Sequence, residues 1–253
     1  AEPSVEKAGE VENFVPLLFG GQASKQVMPG EFFTSDPVKL SAEKGDYLCF
    51  EVRYKGNTIP YHWESILPVF TFDGDSFVPD KRVPFPGMIG CNRKVKKKIG
   101  YLGDSITQGV GTPGNAYTHW NALISDAIGE DYSYWNLGIG YGKGQDAASD
   151  GAWLFKAKQM DAVVVAYGSN DVGMKKDFST IVQKLKSAGI KVFLISVPPF
   201  DWQDDFLVRW NAINDYLVNE LSAEADGFFH IAPLLVDYTQ WEGKSKYEKP
   251  TFR

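Results

Sequence analysis

Histidine and cysteine are scarce in this chain, with three and two among 253 residues. The two cysteines, Cys49 and Cys91, cannot make a disulfide framework, and no C-x-x-C occurs. One bridge or two buried thiols are both open readings. Neither H-E-x-x-H nor a Cys/His cluster with zinc spacing is present, so no built-in metal site is expected. Long apolar runs are missing too. Stretches such as Ala162 to Ala166 and Val192 to Ile195 fall far short of the roughly 20 residues that cross a bilayer, so no membrane partner is expected. The first residues, Ala1-Glu2-Pro3-Ser4-Val5-Glu6, have no basic n-region and no apolar h-region. We therefore expect no signal peptide in this chain, and the lack of an initiator Met leads us to expect removal of something upstream. Basic excess is also lacking. Net charge is −6, with 10 Lys and Arg against 13 Asp and Glu in residues 1–95 and 16 against 19 in the rest. The one basic run, Lys94 to Lys98, is short, so nucleic acid is not an expected partner.

What is present is the material of a core. The chain is 43% hydrophobic, 14% aromatic and 23% charged, which excludes intrinsic disorder, collagen-like repeats and coiled coil.

The pattern changes near residue 95. Before it, short β-type runs are punctuated by turn residues. Residues 47–55 alternate, with Leu48, Phe50, Val52 and Tyr54 on one face and Cys49, Glu51, Arg53 and Lys55 on the other. Residues 69–72 and 76–78 flank Asp73-Gly74 and read as a hairpin. Residues 1–95 are expected to form a small antiparallel β-sandwich. From residue 96 to 253 strands and helices alternate. Strands are expected at 98–102, 132–137, 162–167, 191–197 and 227–231, and helices at 117–128, 145–158, 177–188 and 203–223. In the last helix Phe206, Trp210, Ile213, Leu217 and Leu221 recur at spacings of three and four. This alternation predicts a doubly wound α/β layer with a mostly parallel sheet.

In such a sheet, ligands bind just past the carboxyl ends of the strands. The first strand ends in Gly103-Asp104-Ser105-Ile106-Thr107, which holds a serine hydroxyl at a tight turn as a nucleophile requires. A simple N-capping turn is the other reading of that segment. The second ends in Asn136-Leu137-Gly138-Ile139-Gly140-Tyr141-Gly142, where glycine lets backbone N–H groups approach a ligand, or merely makes a βα turn. The third ends in Gly168-Ser169-Asn170-Asp171, and Asn170 offers two N–H donors unless it is an N-cap or Asx-turn residue. A serine, backbone N–H groups and an amide donor converging from three strand ends would form an oxyanion hole around a nucleophile.

These three ordered segments resemble blocks one to three of the SGNH, or GDSL, hydrolase superfamily, over roughly residues 97–235. The resemblance implies a three-layer, flavodoxin-like domain and an esterase without a cofactor. Ser105 would be the nucleophile. Its own N–H, that of Gly140 and the Asn170 side chain would hold the oxyanion, with Asp104 and Asp171 in support. Tyr141 stands where relatives often carry glycine, so the backbone donor is either Gly140 or Tyr141. A β-domain ahead of such a layer resembles the family-two carbohydrate esterases, which remove acetyl groups from polysaccharides. The expected partner is thus a small-molecule or polysaccharide ester. Alternatives are a short-chain lipid or ester acyl hydrolase, and a carbohydrate binder that cleaves nothing.

The family's Asp-x-x-His block, whose histidine is the general base, does not occur, nor does the final helix of the fold. We expect the chain to stop short of that block. Of the histidines present, His119 follows the nucleophile on the next helix, beside Tyr117 and Trp120, and is the candidate base or a packing residue. His230 is expected in the core and His62 at the surface. Trp120, Trp135 and Trp153 are expected in helix–sheet packing, and Trp202 in the cleft. Gly109 to Gly114 fits G-x-G-x-x-G, but residues 103–108 separate it from the strand and Pro113 interrupts it, so a dinucleotide site is not expected. Walker A fails because Tyr238 stands where its first glycine belongs.

Overall fold

A computed structural model of the chain describes residues 11, 14–43, 46–58, 61–63, 66–84, 87–114, 117–170, 175–200 and 204–235. The chain divides into two compact units, one of residues 1–59 and 68–80 and the other of residues 60–67 and 81–253.

Four short strands come first in sequence: β1 (Tyr61–Trp63), β2 (Val69–Phe72), β3 (Phe77–Asp80) and β4 (Arg82–Pro84). They form two separate two-stranded antiparallel sheets. In the first unit β2 pairs β3, and in the second β1 pairs β4. The β2–β3 hairpin is the one expected around Asp73-Gly74. Gly74 takes φ +115°, and the Asp73 carboxylate accepts from the N–H groups of Asp75 and Ser76, both at 3.0 Å. Residues 47–55, expected as a strand, form no strand among the described residues. Their alternating apolar side chains, Leu48 to Tyr54, are all exposed. Period-two patterning yields a strand only where a neighbour takes up the backbone groups and a layer covers the apolar face. Cys49 and Cys91 are both free and exposed, so neither of the two readings of them holds.

The second unit carries the α/β layer. Its strands are β5 (Lys98–Gly103), β6 (Ser133–Gly138), β7 (Ala162–Ala166), β8 (Lys191–Ile195) and β9 (Gly227–Phe229). They form one parallel sheet in the order β6-β5-β7-β8-β9. The direction of winding reverses between β5 and β7, so Gly103, at the end of β5, lies at the switch point.

Side chains alternate across the sheet. Leu102, Val163, Val165, Val192 and Leu194 enter one core and are fully buried. Tyr101, Val164 and Ile195 enter the other, with Ile99, Phe193 and Trp120 packed beside them. Burying an aliphatic side chain of this size contributes about 1.5–3 kcal/mol. Helices α1 (Ser105–Gln108), α2 (Trp120–Ile128), α3 (Gly144–Ala148), α4 (Ala152–Ala157), α5 (Lys175–Ser187), α6 (Asp204–Asn219) and α7 (Ala232–Leu235) complete the layer. In α5 the residues Phe178, Ile181, Val182 and Leu185 make one buried stripe. It ends in a Schellman motif, with Ile190 N–H on Leu185 O at 3.0 Å and Gly189 at φ +79°.

Two helical expectations need correction. Residues 145–158 are not one helix, because Asp150 takes φ +61° between α3 and α4. The Asp150 carboxylate there meets Lys184 and Lys158, which holds the break. In α6, Trp210, Ile213 and Leu217 are buried as expected, but Phe206 at the start of the helix is exposed. Asn214 of α6 accepts from Val197 N–H at 2.9 Å and donates back to its carbonyl at 3.2 Å, fixing the chain just beyond β8. Among the described residues no helix is long and apolar enough to cross a membrane.

Candidate active site

The strand register sets up the site. Gly103 is paired with Gly138 of β6 on one side and with Ala166 of β7 on the other. Neighbouring strands lie about 4.8 Å apart, so the three segments singled out in the sequence leave the sheet abreast at its carboxyl edge.

Beyond Gly103 the chain turns directly into α1. A Cβ on Gly103 would sit 2.2 Å from Thr107 Oγ1 and 2.7 Å from the Ala166 carbonyl, so only glycine fits. Asp104 is the N-cap, its carboxylate accepting from Ile106 N–H at 3.0 Å. Ser105 is the first helical residue and half-buried. The N–H of a first helical residue has no intrahelical acceptor, so it remains available to a ligand. Among the described residues no hydrogen bond involves the Ser105 hydroxyl. Gly109, at φ +116°, ends the helix after a single turn and returns its N–H to Ser105 O at 3.0 Å.

This short helix is absent from the sequence expectations, which place the next helix some ten residues later. Its signal is an Asp N-cap and a glycine five residues on. It carries Gln108, a residue the sequence reading passed over. Gln108 Nε2 donates to the Trp63 carbonyl at 2.9 Å, and its own carbonyl accepts from Asn136 Nδ2 at 3.2 Å.

The β6 segment folds tightly against α1. A Cβ on Gly138 would stand 2.1 Å from Gln108 N, a close approach of two backbones that requires glycine. Gly142 N–H on Ile139 O at 3.0 Å closes a four-residue turn with Gly140 and Tyr141 at its centre. Tyr141 takes φ +59°, at the turn position that favours glycine, and its side chain is 80% exposed. A non-glycine residue therefore stands where the backbone adopts a glycine-like conformation. Gly140 lies inside the turn, its Cβ position 3.2 Å from Gln108 Oε1.

The β7 segment is tied to both others. Asp104 reaches it with its second oxygen, which accepts from Ser169 N–H at 3.3 Å. Asn170 Nδ2 donates to the Gly142 carbonyl at 3.0 Å. An amide nitrogen has two hydrogens, so one remains for a further acceptor. Asp104 is fully buried. Burial pushes its carboxyl above the ordinary range, against the opposing pull of its N–H donors from Ile106 and Ser169. Ser105, Gly140, Asn170 and Asp104 thus belong to one linked set of turns, and Asp171 lies outside the described residues.

Of the histidines, His119 is buried at the N-cap of α2, beside the Cβ position of Gly109. His230, expected in the core, is exposed and stacks on Phe228 at 5.8 Å. His62 is half-buried and meets the Trp153 ring edge to face at 5.8 Å. Trp153 also carries the ammonium of Lys156 4.3 Å from its ring centroid. Burial pushes that ammonium's pKa down to about 8. Trp120, Trp135 and Trp153 pack against the cores as expected, and Trp202 lies outside the described residues.

A parallel layer of this strand order, with a serine turn at the switch point, defines an SGNH-type α/β domain. Residues 101–246, more than half of the chain, match the GDSL-like lipase/acylhydrolase family, and the chain belongs to that family of carboxylic ester hydrolases. Solved structures with a similar fold include TesA, at 19% identity and TM-score 0.45, covering 61% of this chain and 89% of that one. The acetyl xylan esterase AlAXEase is similar at 21% identity and TM-score 0.44, with 62% and 91% covered. A lipase/acylhydrolase from Enterococcus faecalis is similar at 17% identity and TM-score 0.43, with 61% and 87% covered. No curated protein matches the chain.

Proposed function

We propose that this chain is a serine esterase that removes short O-acyl groups, acetyl above all, from carbohydrate. The observation that supports the reading is the register of Gly103 with Gly138 and Ala166, reinforced by the Asp104–Ser169 and Asn170–Gly142 bonds. This register and these two bonds support a reading in which three separate segments meet at one serine.

In this reading Ser105 Oγ attacks the ester carbonyl and its proton passes to a base. The new oxyanion accepts from the N–H of Ser105, from the turn at Gly140 or Tyr141, and from the free hydrogen of Asn170 Nδ2. Collapse expels the sugar hydroxyl and leaves an acyl-serine, and water then repeats the cycle and releases the acid. Family resemblance assigns the base to a histidine of an Asp-x-x-His block. Within this chain His119 is the candidate carried by the first helix after the nucleophile turn. Asp104 and Asp171 support the turns rather than react. The change of pattern near residue 95 is read as the boundary between a β-sandwich, residues 1–95, and the hydrolase domain, residues 96–253. Asn170 and Tyr141 are exposed and Ser105 half-buried, which suits a small acyl group on a large hydrophilic alcohol.

The test is acetate release from acetylated xylan and from p-nitrophenyl acetate by this chain and by Ser105→Ala. Release that depends on Ser105 is the expected result. Equal release by Ser105→Ala would overturn the proposal.

A further inference from the structure

Trp63 and Ile66 precede the α/β layer by some thirty residues in sequence, yet both lie against the nucleophile turn. The Trp63 carbonyl accepts from Gln108 Nε2 at 2.9 Å and lies 3.8 Å from the Cβ position of Gly140. Ile66 Cγ2 stands 3.1 Å from the Cβ position of Gly109, at the end of α1. Behind β1, His62 meets Trp153 of α4. Residues alternate across a strand, so Tyr61 and Trp63 point to the opposite side from His62.

That opposite side is open. Trp63 is 52% exposed and Tyr61 49%, and their rings meet edge to face at 5.7 Å with planes 89° apart. An edge-to-face pair braces one ring by the other. Next to Gly140 in sequence, Tyr141 is 80% exposed. The Trp63 carbonyl and Tyr141 therefore both adjoin the same glycine of the candidate oxyanion turn, and each residue carries an exposed aromatic ring. Large exposed aromatics beside a reaction centre mark a binding surface rather than a core.

We propose that Trp63, braced by Tyr61, is a specificity-determining residue that stacks against the apolar C–H face of a pyranose ring. The inference rests on the esterase reading for its reaction centre and adds to it the group that recognises the sugar. A pyranose presents axial C–H groups on one face and hydroxyls around its rim, so it can lie on an open ring while its rim stays hydrated. A long acyl chain gains only by leaving water, which an exposed shelf does not provide. The fixed backbone of Trp63 sets the distance from the shelf to Ser105. Gln108 thereby links sugar recognition to the nucleophile turn.

The test is titration of Ser105→Ala with xylohexaose and cellohexaose, followed by calorimetry. Binding is expected, with Trp63→Ala roughly tenfold weaker, as truncating an aromatic anchor gives, and Trp63→Phe close to the parent. Oxidation by N-bromosuccinimide gives a second reading on the unaltered chain. Oligosaccharide should shield Trp63, located by peptide mass, and this holds even where Trp63→Ala fails to fold. No binding, or binding with Trp63 oxidised at an unchanged rate, overturns the proposal. Fluorophosphonate labelling of Ser105 reports separately on the esterase reading. Labelling without sugar binding leaves an esterase and removes the shelf. Sugar binding that shields Trp63, without labelling, leaves the shelf on a protein that does not cleave.

Discussion

Asp104→Ala is the most informative substitution in the candidate site. The carboxylate is fully buried and receives two backbone N–H groups, Ile106 at 3.0 Å and Ser169 at 3.3 Å. Alanine removes an N-cap, about 0.5–2 kcal/mol, and leaves a second buried donor unpaired, about 1–3 kcal/mol. Part of this is offset because alanine also removes a charge held away from water. The expected net loss is about 1–3 kcal/mol, or roughly 3–10 °C in Tm for a unit of this size. Urea unfolding followed by tryptophan emission measures it. The pH dependence carries a sign. Burial raises the folded carboxyl above its ordinary 3.8, so the folded chain holds the proton more tightly than the unfolded one. That contribution is full below the unfolded value and is lost as pH rises through the raised folded value. Asp104→Ala and Asp104→Asn both abolish this slope, and Asn, which keeps the oxygen that caps Ile106, is expected within about 1 kcal/mol of the parent. The same carboxylate links the Ser169 turn to the nucleophile turn, so labelling of Ser105 by a fluorophosphonate should slow by about tenfold or more in Asp104→Ala. An alanine variant as stable as the parent, with its acid-side slope intact, would refute the reasoning.

Three further outcomes follow from the same geometry. Asn170→Ala removes a proposed oxyanion donor and should lower turnover by about 10²–10³ with KM little changed; an unaltered kcat on p-nitrophenyl acetate removes that role. Tyr141→Gly relieves a positive φ of 59° and should raise stability by about 0.5–1 kcal/mol in thermal unfolding, a gain that disappears if the turn is otherwise unstrained. For Lys156, burial lowers the folded pKa from 10.5 to about 8, so the unfolded chain binds the extra proton between those values. Stability should therefore rise with pH across that window relative to Lys156→Met, and parallel profiles for the two proteins would contradict the burial argument.

The α/β layer was legible because its strands are covered on both faces. Val163 to Val165 can be apolar throughout only where helices lie above and below. Its three chemical segments were legible because glycines mark where backbones meet, as Gly103 and Gly138 do against α1. What escaped the sequence was short or depended on distant partners. Helix α1 is a single turn, too brief for any periodicity to register, and only its capping residues announce it. The place of Trp63 depends on Gln108, 45 positions later, and nothing local to either residue encodes that bond. Residues 47–55 misled in the opposite direction, since alternation was present without a partner strand or a cover. The break at Asp150 escaped for a related reason: the carboxylate of this left-handed residue meets Lys158 at the end of the helix pattern it interrupts and Lys184, 34 positions away on another helix.

A crystal structure of the fluorophosphonate adduct puts the account to its most direct trial. Phosphorus should be bonded to Ser105 Oγ, with its non-ester oxygen about 2.7–3.1 Å from the N–H of Ser105, the backbone N–H of the Gly140–Tyr141 turn and Asn170 Nδ2. An adduct oxygen facing solvent, with those donors turned elsewhere, would contradict it.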